Sequence, residues 1–263
     1  MKTQNIPLRE WEEAEIKRSA IEASLTDESS LVAKMSIVKR YLDPPADTCF
    51  ALEYAYHLLG DVSGKLVLDL GCGSGKNTII LALRGAQVQA VDISPELIAL
   101  AERRMAINGV GERARFFTSS AHELPFADES VDVVFGMAVL HHLELRLAAR
   151  EVRRVLRPGG RAIFREPVRN SKLIKFARSL IPYRSQDVSP FERPLTDSEL
   201  EEFSSGYRKY RSKAFELPYF SVAKRLPVIR DHMNPVYRWN QSLLDRFPVL
   251  RFYASMRVVE MIK

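Results

Sequence analysis

Nowhere in these 263 residues do eighteen apolar side chains run together, which excludes a membrane-crossing helix as the organising feature. The amino end, Met1 to Asn5, lacks the apolar block of a secretory leader, so a cytoplasmic location is the expectation. Cysteine is scarce: Cys49 and Cys72 are too few for a disulfide framework and suit a reducing compartment. No Cys cluster accompanies the histidines, and His141 and His142 lack the i, i+4 spacing of helical metal ligands; no metal is assigned. Internal repeats and low-complexity tracts are missing too. What the chain does have is 46% hydrophobic residues, enough for one substantial core and an elaboration upon it.

Charge is unevenly spread. Residues 168–263 carry 18 Lys/Arg against 10 Asp/Glu, whereas residues 1–167 carry 21 against 23. A basic carboxyl-terminal third suggests an anionic substrate, a nucleic acid or an anionic membrane surface, or simply a solvated face.

The most informative run is Lys65 to Gly75. Leu66 to Leu70 reads as a short central strand, and Gly71, Gly73 and Gly75 form a turn whose backbone can approach a ligand closely. A helix from Lys76 to Arg84 follows at once, aiming its unpaired N–H groups and positive dipole end back at the turn. Strand, glycine turn and helix in this order make the adenosine-binding corner of a doubly wound sheet. Two phosphate-binding patterns fail on spacing. The dinucleotide fingerprint needs glycine where Lys76 stands, and a P-loop needs glycine at Leu70 and Ser or Thr at Asn77.

Landmarks recur downstream. Residues 85–92 read as a second strand ending in Asp92, an acid placed to accept both ribose hydroxyls. Ser94, Pro95 and Glu96 start a helix that runs to 107 and closes at Asn108-Gly109. Ala114 to Thr118 is a third strand and Val131 to Phe135 a fourth. Gly136 to His142 leaves the fourth, a helix spans about Leu145 to Leu156, and Arg157 to Gly160 turns into a fifth strand, Arg161 to Arg165.

The pattern Asp-x-Gly-x-Gly-x-Gly from Asp69 to Gly75 resembles motif I of class I S-adenosylmethionine-dependent methyltransferases. Residues 119–126 resemble the stretch Gly-Asp-Ala-x-x-Leu-Pro-Phe of the type 11 branch, with Ser120 where that branch has the acid that receives the adenine amino group. The contact at Ser120 is therefore expected to be a neutral hydrogen bond or the work of a backbone group. The resemblance covers roughly residues 60–167. It implies a Rossmann-like α/β fold with a seven-strand sheet, order 3-2-1-4-5-7-6 and strand seven antiparallel. It also implies N-terminal helices over the cofactor and a helical cap. The expected division is an N-terminal helical segment (1–45), a cofactor-binding core (46–167), and a carboxyl-terminal part (168–263) that completes the sheet and adds cap insertions.

The resemblance further implies an enzyme that binds S-adenosylmethionine and releases S-adenosylhomocysteine. Expected at the cofactor are Asp69 (toward the ammonium group), Gly71, Cys72, Gly73, Gly75, Asp92, Ile93, Ser120, Ala121 and Met137. A side chain at Gly71 is expected to enter the ligand's volume. If the acceptor needs a base, the candidates are His141, His142 and Glu166, with His141 favoured; packing roles for these residues are the alternative. The acceptor implied is a small apolar or aromatic molecule. An RNA- or protein-modifying methyltransferase, with the basic cap as docking surface, is the second reading. Asp43 to Ala46 does not support it, because its fourth position is not aromatic and it precedes the first strand. Nucleic acid is therefore not the expected partner, and the intact motif speaks against a cofactor-binding regulator without turnover. Ser171 to Ile181 forms an amphipathic pattern with Lys172, Lys175 and Arg178 on one side, suited to a cap helix or a weak contact with an anionic membrane. Oligomeric state is not legible.

Overall fold

Residues 66–70 alternate between two apolar environments, as a central strand covered by helices on both faces must. In the structure, a computed structural model that describes residues 7–172, 193–223, 226 and 232–263, this segment is β1 (Leu66–Leu70). Val67 is buried on one face with residues of α3 (Ala51–Leu59) and α4 (Lys76–Leu83). Leu68 and Leu70 are buried on the other with α6 (Leu145–Val155) and α7 (Asp197–Phe203). Each fully buried Leu or Phe of these layers contributes roughly 1.5–3 kcal/mol.

The remaining strands are β2 (Gln87–Asp92), β3 (Ala114–Thr118), β4 (Val131–Met137), β5 (Leu156–Pro167), β6 (Lys209–Phe215) and β7 (Met256–Ile262). They form one sheet in the order β3-β2-β1-β4-β5-β7-β6, with β7 antiparallel to both neighbours, as the resemblance implies. The fifth strand is longer than expected. Arg157 to Gly160 stays within it, and the extra residues are absorbed by a shift of register against β4 between Val131 and Val133.

Around the sheet lie α1 (Leu8–Ser24), α2 (Met35–Leu42) and α5 (Pro95–Ile107), with α8 (Phe220–Ala223) and α9 (Met233–Arg246) toward the carboxyl end. Helix α5 starts as its sequence predicts, the Ser94 hydroxyl accepting the Leu97 N–H at 3.3 Å. Helix α3 was not legible: Ala51–Leu59 is apolar nearly all round, and its pattern does not distinguish a buried helix from a strand. The amphipathic pattern of Ser171 to Ile181 lies mostly outside the described residues. None of the helices among the described residues is long and apolar enough to cross a membrane.

Candidate active site

The carboxyl ends of β1, β2, β3 and β4 open into a cavity of about 310 Å³, the position where open α/β sheets bind ligands. Its floor is the glycine turn. Cys72 N–H donates to the Val91 carbonyl at 2.9 Å, stitching the turn to β2. Gly73 N–H donates to Asp92 Oδ2 at 2.9 Å, and Ser94 N–H to Oδ1 at 3.0 Å. Burial drives the Asp92 pKa above the ordinary carboxylate value, against the pull of these two N–H groups. Each oxygen keeps a second lone pair for a ligand hydroxyl.

The expected cofactor residues divide. Gly71, Cys72, Gly73, Asp92, Ile93, Ser120, Ala121 and Met137 all line the cavity. Gly75 does not: it begins α4, and a Cβ there would meet Ala101 of α5 at 3.0 Å, so its small size serves helix packing. At Gly71 (φ 66°) a Cβ would come within 2.4 Å of the Val139 side chain. The nearest obstacle to a side chain there is Val139, which itself lines the cavity. Gly73 has open space around its missing Cβ and is the member of the turn under which a ligand can pass.

Asp69 is also set apart from the wall. Pleating points it to the α4 face, where the Thr78 hydroxyl donates to Oδ2 at 2.6 Å while Oδ1 is buried without a hydrogen-bond partner among the described residues. Burial, with some help from the charge of Asp92, raises its pKa from 3.8 to about 7 against the Thr78 bond. Between those values the native state holds a proton that the unfolded chain has released, so stability is expected to fall as pH rises from about 4 to about 7. Urea midpoints at several pH values check this. Asp69→Asn should flatten the slope, and an unchanged slope would assign the pH dependence elsewhere.

Of the two histidines, the structure places His142 on the cavity wall and turns His141 away. His141 Nδ1 lies 2.8 Å from Glu166 Oε2. Glu166 is fully buried at the end of β5, and its Oε1 accepts N–H from Val139 (2.8 Å) and Leu140 (2.9 Å). Glu166 and His141 therefore brace the loop after β4, and neither lines the cavity. The braced loop carries Ala138 in the left-handed region (φ 57°), a strained conformation for a residue with a Cβ, at the cavity edge. His142 Nδ1 lies 3.2 Å from Glu15 Oε2.

Helix α1 supplies another wall, in keeping with the N-terminal helices the resemblance implies, through residues the sequence analysis did not name. Trp11, Glu12, Glu15, Arg18, Ser19 and Glu22 line the cavity. Their spacing of three and four residues was visible in the sequence, but the stripe is polar where a core-facing stripe is normally apolar. Counting Asp92 and Lys76, four carboxylates face two cations, inside a chain whose overall charge is +6. Arg18 is already engaged, donating to Glu15 at 3.0 Å and Glu22 at 3.2 Å. The cavity thus favours a positively charged ligand over a phosphate-bearing one. Among the described residues no cluster of His, Cys, Asp or Glu is placed to hold a metal ion.

A second cavity of about 270 Å³ opens beside the first on the same face of the sheet, since Arg165 on its wall pairs in register with Met137 on the other. Tyr41, Phe50 and Tyr237 line it with Arg40 and Arg165. Arg40 is held by Glu53, whereas the Arg165 Nε is buried without a hydrogen-bond partner among the described residues.

A doubly wound sheet, a glycine turn under an acid-rich cavity and a carboxylate at the end of β2 make a site suited to a cationic ligand that bears hydroxyl groups. Residues 68–164 match the family model of a methyltransferase domain. Methyltransferase GfsG of Streptomyces halstedii is 34% identical over 143 residues, 53% of this chain and 51% of that protein. The ubiquinone biosynthesis O-methyltransferase of Pseudomonas syringae pv. tomato is 34% identical over 144 residues, 51% of this chain and 61% of that protein. The chain thus spans between half and two thirds of the length of these curated relatives. Geranyl diphosphate C-methyltransferase from Streptomyces coelicolor, solved with S-adenosyl-L-homocysteine, shares the fold at a TM-score of 0.53 and 17% identity. That match covers 79% of this chain and 76% of that one.

Proposed function

We propose that this protein is an enzyme that transfers a methyl group from S-adenosylmethionine to a small acceptor with an apolar or aromatic body. The observation that carries the reading is the surplus of carboxylates in the cavity over the glycine turn, which suits a ligand bearing sulfonium and ammonium charges. Asp92 would take the ribose hydroxyls, and the backbone of Cys72 and Gly73 the floor beneath. The cofactor brings an already electrophilic methyl group, so the protein's work is to align the acceptor and exclude water. The aromatic wall of the second cavity, one strand over from Met137, supports an aromatic or apolar acceptor. The unpartnered Arg165 Nε there suits an oxygen substituent on it. Should the acceptor need to lose a proton, the position of His142 on the cavity wall supports it as the base.

Asp92→Ala is expected to weaken S-adenosylhomocysteine binding by roughly 1–3 kcal/mol, the worth of charge-assisted bonds to two hydroxyls. Calorimetric titration measures this, with a thermal melt to check the fold; unchanged affinity in a folded variant removes Asp92 from the ribose role. Mass spectrometry of a cell extract incubated with the protein and methyl-labelled cofactor identifies the acceptor. Labelling confined to RNA or protein would overturn the small-molecule reading.

A further inference from the structure

Beside Asp92 the cavity wall holds a second carboxylate, built with more care than a surface acid needs. Glu12 of α1 lines the cavity, and its Oε1 accepts from the Ser120 hydroxyl at 2.5 Å and from His122 Nδ1 at 3.0 Å. Both donors are oriented by their other bonds, His122 Nδ1 being shared between Glu12 Oε1 and Ser120 Oγ, each at 3.0 Å. The Glu144 N–H donates to His122 Nε2 at 2.9 Å, which leaves the ring proton on Nδ1. The His122 N–H donates to Ser120 Oγ at 3.1 Å, which leaves the serine proton for Glu12. Oε1 is thus pinned from two sides, while Glu12 Oε2 has no hydrogen-bond partner among the described residues.

We infer that Glu12 reads the exocyclic amine of the cofactor's purine, so that α1 carries part of the cofactor specificity; this rests on the S-adenosylmethionine reading. Position supports it. Thr118, just before the Ser120–His122 anchor, is the register partner of Asp92, so the anchor lies one strand outward from the ribose acid. A base attached to that ribose lies on this side. Chemistry narrows the group: an ionised carboxylate can only accept, so its partner must be a donor. Adenine offers an amine there, whereas a 6-oxopurine offers a carbonyl oxygen, whose lone pairs repel the carboxylate. At Ser120 the hydroxyl proton goes to Glu12, so an acid reaches this part of the wall from 108 residues earlier in the chain.

The test is calorimetric titration of the full chain with S-adenosylhomocysteine and with S-inosylhomocysteine, which differs in carrying the 6-oxo group. The unmodified protein should prefer the adenine compound by about a hundredfold, the range of one charge-assisted hydrogen bond with a mismatch penalty. Glu12→Gln, whose amide both donates and accepts, should bring the two affinities to within about threefold, and Glu12→Ala should do the same by lowering the affinity for the adenine compound about tenfold and raising that for the 6-oxo compound about tenfold as the repulsion is relieved. Glu13→Gln, at an exposed neighbouring acid, should leave both unchanged. Full preference retained in a helical, folded Glu12→Gln variant overturns this inference alone. Failure of the unmodified protein to bind either compound overturns it together with the cofactor reading.

Discussion

Glu166→Ala is expected to lower folding stability by about 3–5 kcal/mol, the cost of breaking a buried, fully engaged polar group. Three partners lose their acceptor at once: the N–H groups of Val139 and Leu140 and the ring of His141. None of them has water to turn to, because Glu166 is fully buried and His141 nearly so. The loop they brace carries Ala138, Val139 and His142 to the cavity, so turnover should fall with stability. Urea denaturation measures the first effect. His141→Asn should track Glu166→Ala in kind, losing stability and turnover together. His142→Asn, at the wall, should lose turnover while keeping most of the stability. The opposite pattern, with His141→Asn inactive at full stability, would restore His141 to the chemistry.

Gly71→Val should cost about 2–6 kcal/mol and abolish cofactor binding. Two expenses add: a β-branched residue in the left-handed region, and a Cβ 2.4 Å from a Val139 methyl in a close-packed site. Because the obstacle is a side chain of the protein itself, relief is available. Val139→Ala should recover part of the stability lost by Gly71→Ala, giving a clear coupling energy in a double-mutant cycle read by thermal unfolding. Strict additivity would mean that the strained backbone alone accounts for the loss.

Both predictions involve residues that the sequence marked correctly as special and assigned to another partner. Gly71 is legible because strand, glycines and helix follow one another within a few residues. What stands against it is a valine 68 positions away, in the loop after a strand that becomes its neighbour only when β4 pairs with β1. Glu166 is legible as a strand-end acid. Whether it meets a substrate or a loop depends on the side of the sheet to which the pleat turns it.

By itself, then, the amino-acid sequence determined the elements and their order, the place of the glycine turn, and the acid ending β2. All of these follow from local propensities and from spacings within a few residues. It did not disclose α3, whose apolar run carries no period to tell helix from strand. Tertiary structure alone decided which of two adjacent histidines reaches the cavity, since neighbouring side chains diverge and the Glu166 brace claims one of them. It also decided that Asp69 faces α4. And it brought Glu12 to Ser120 and His122, a meeting of residues more than a hundred positions apart, made when α1 settles over the open ends of the strands. Contacts of that kind are set by packing between distant segments, which no local pattern encodes.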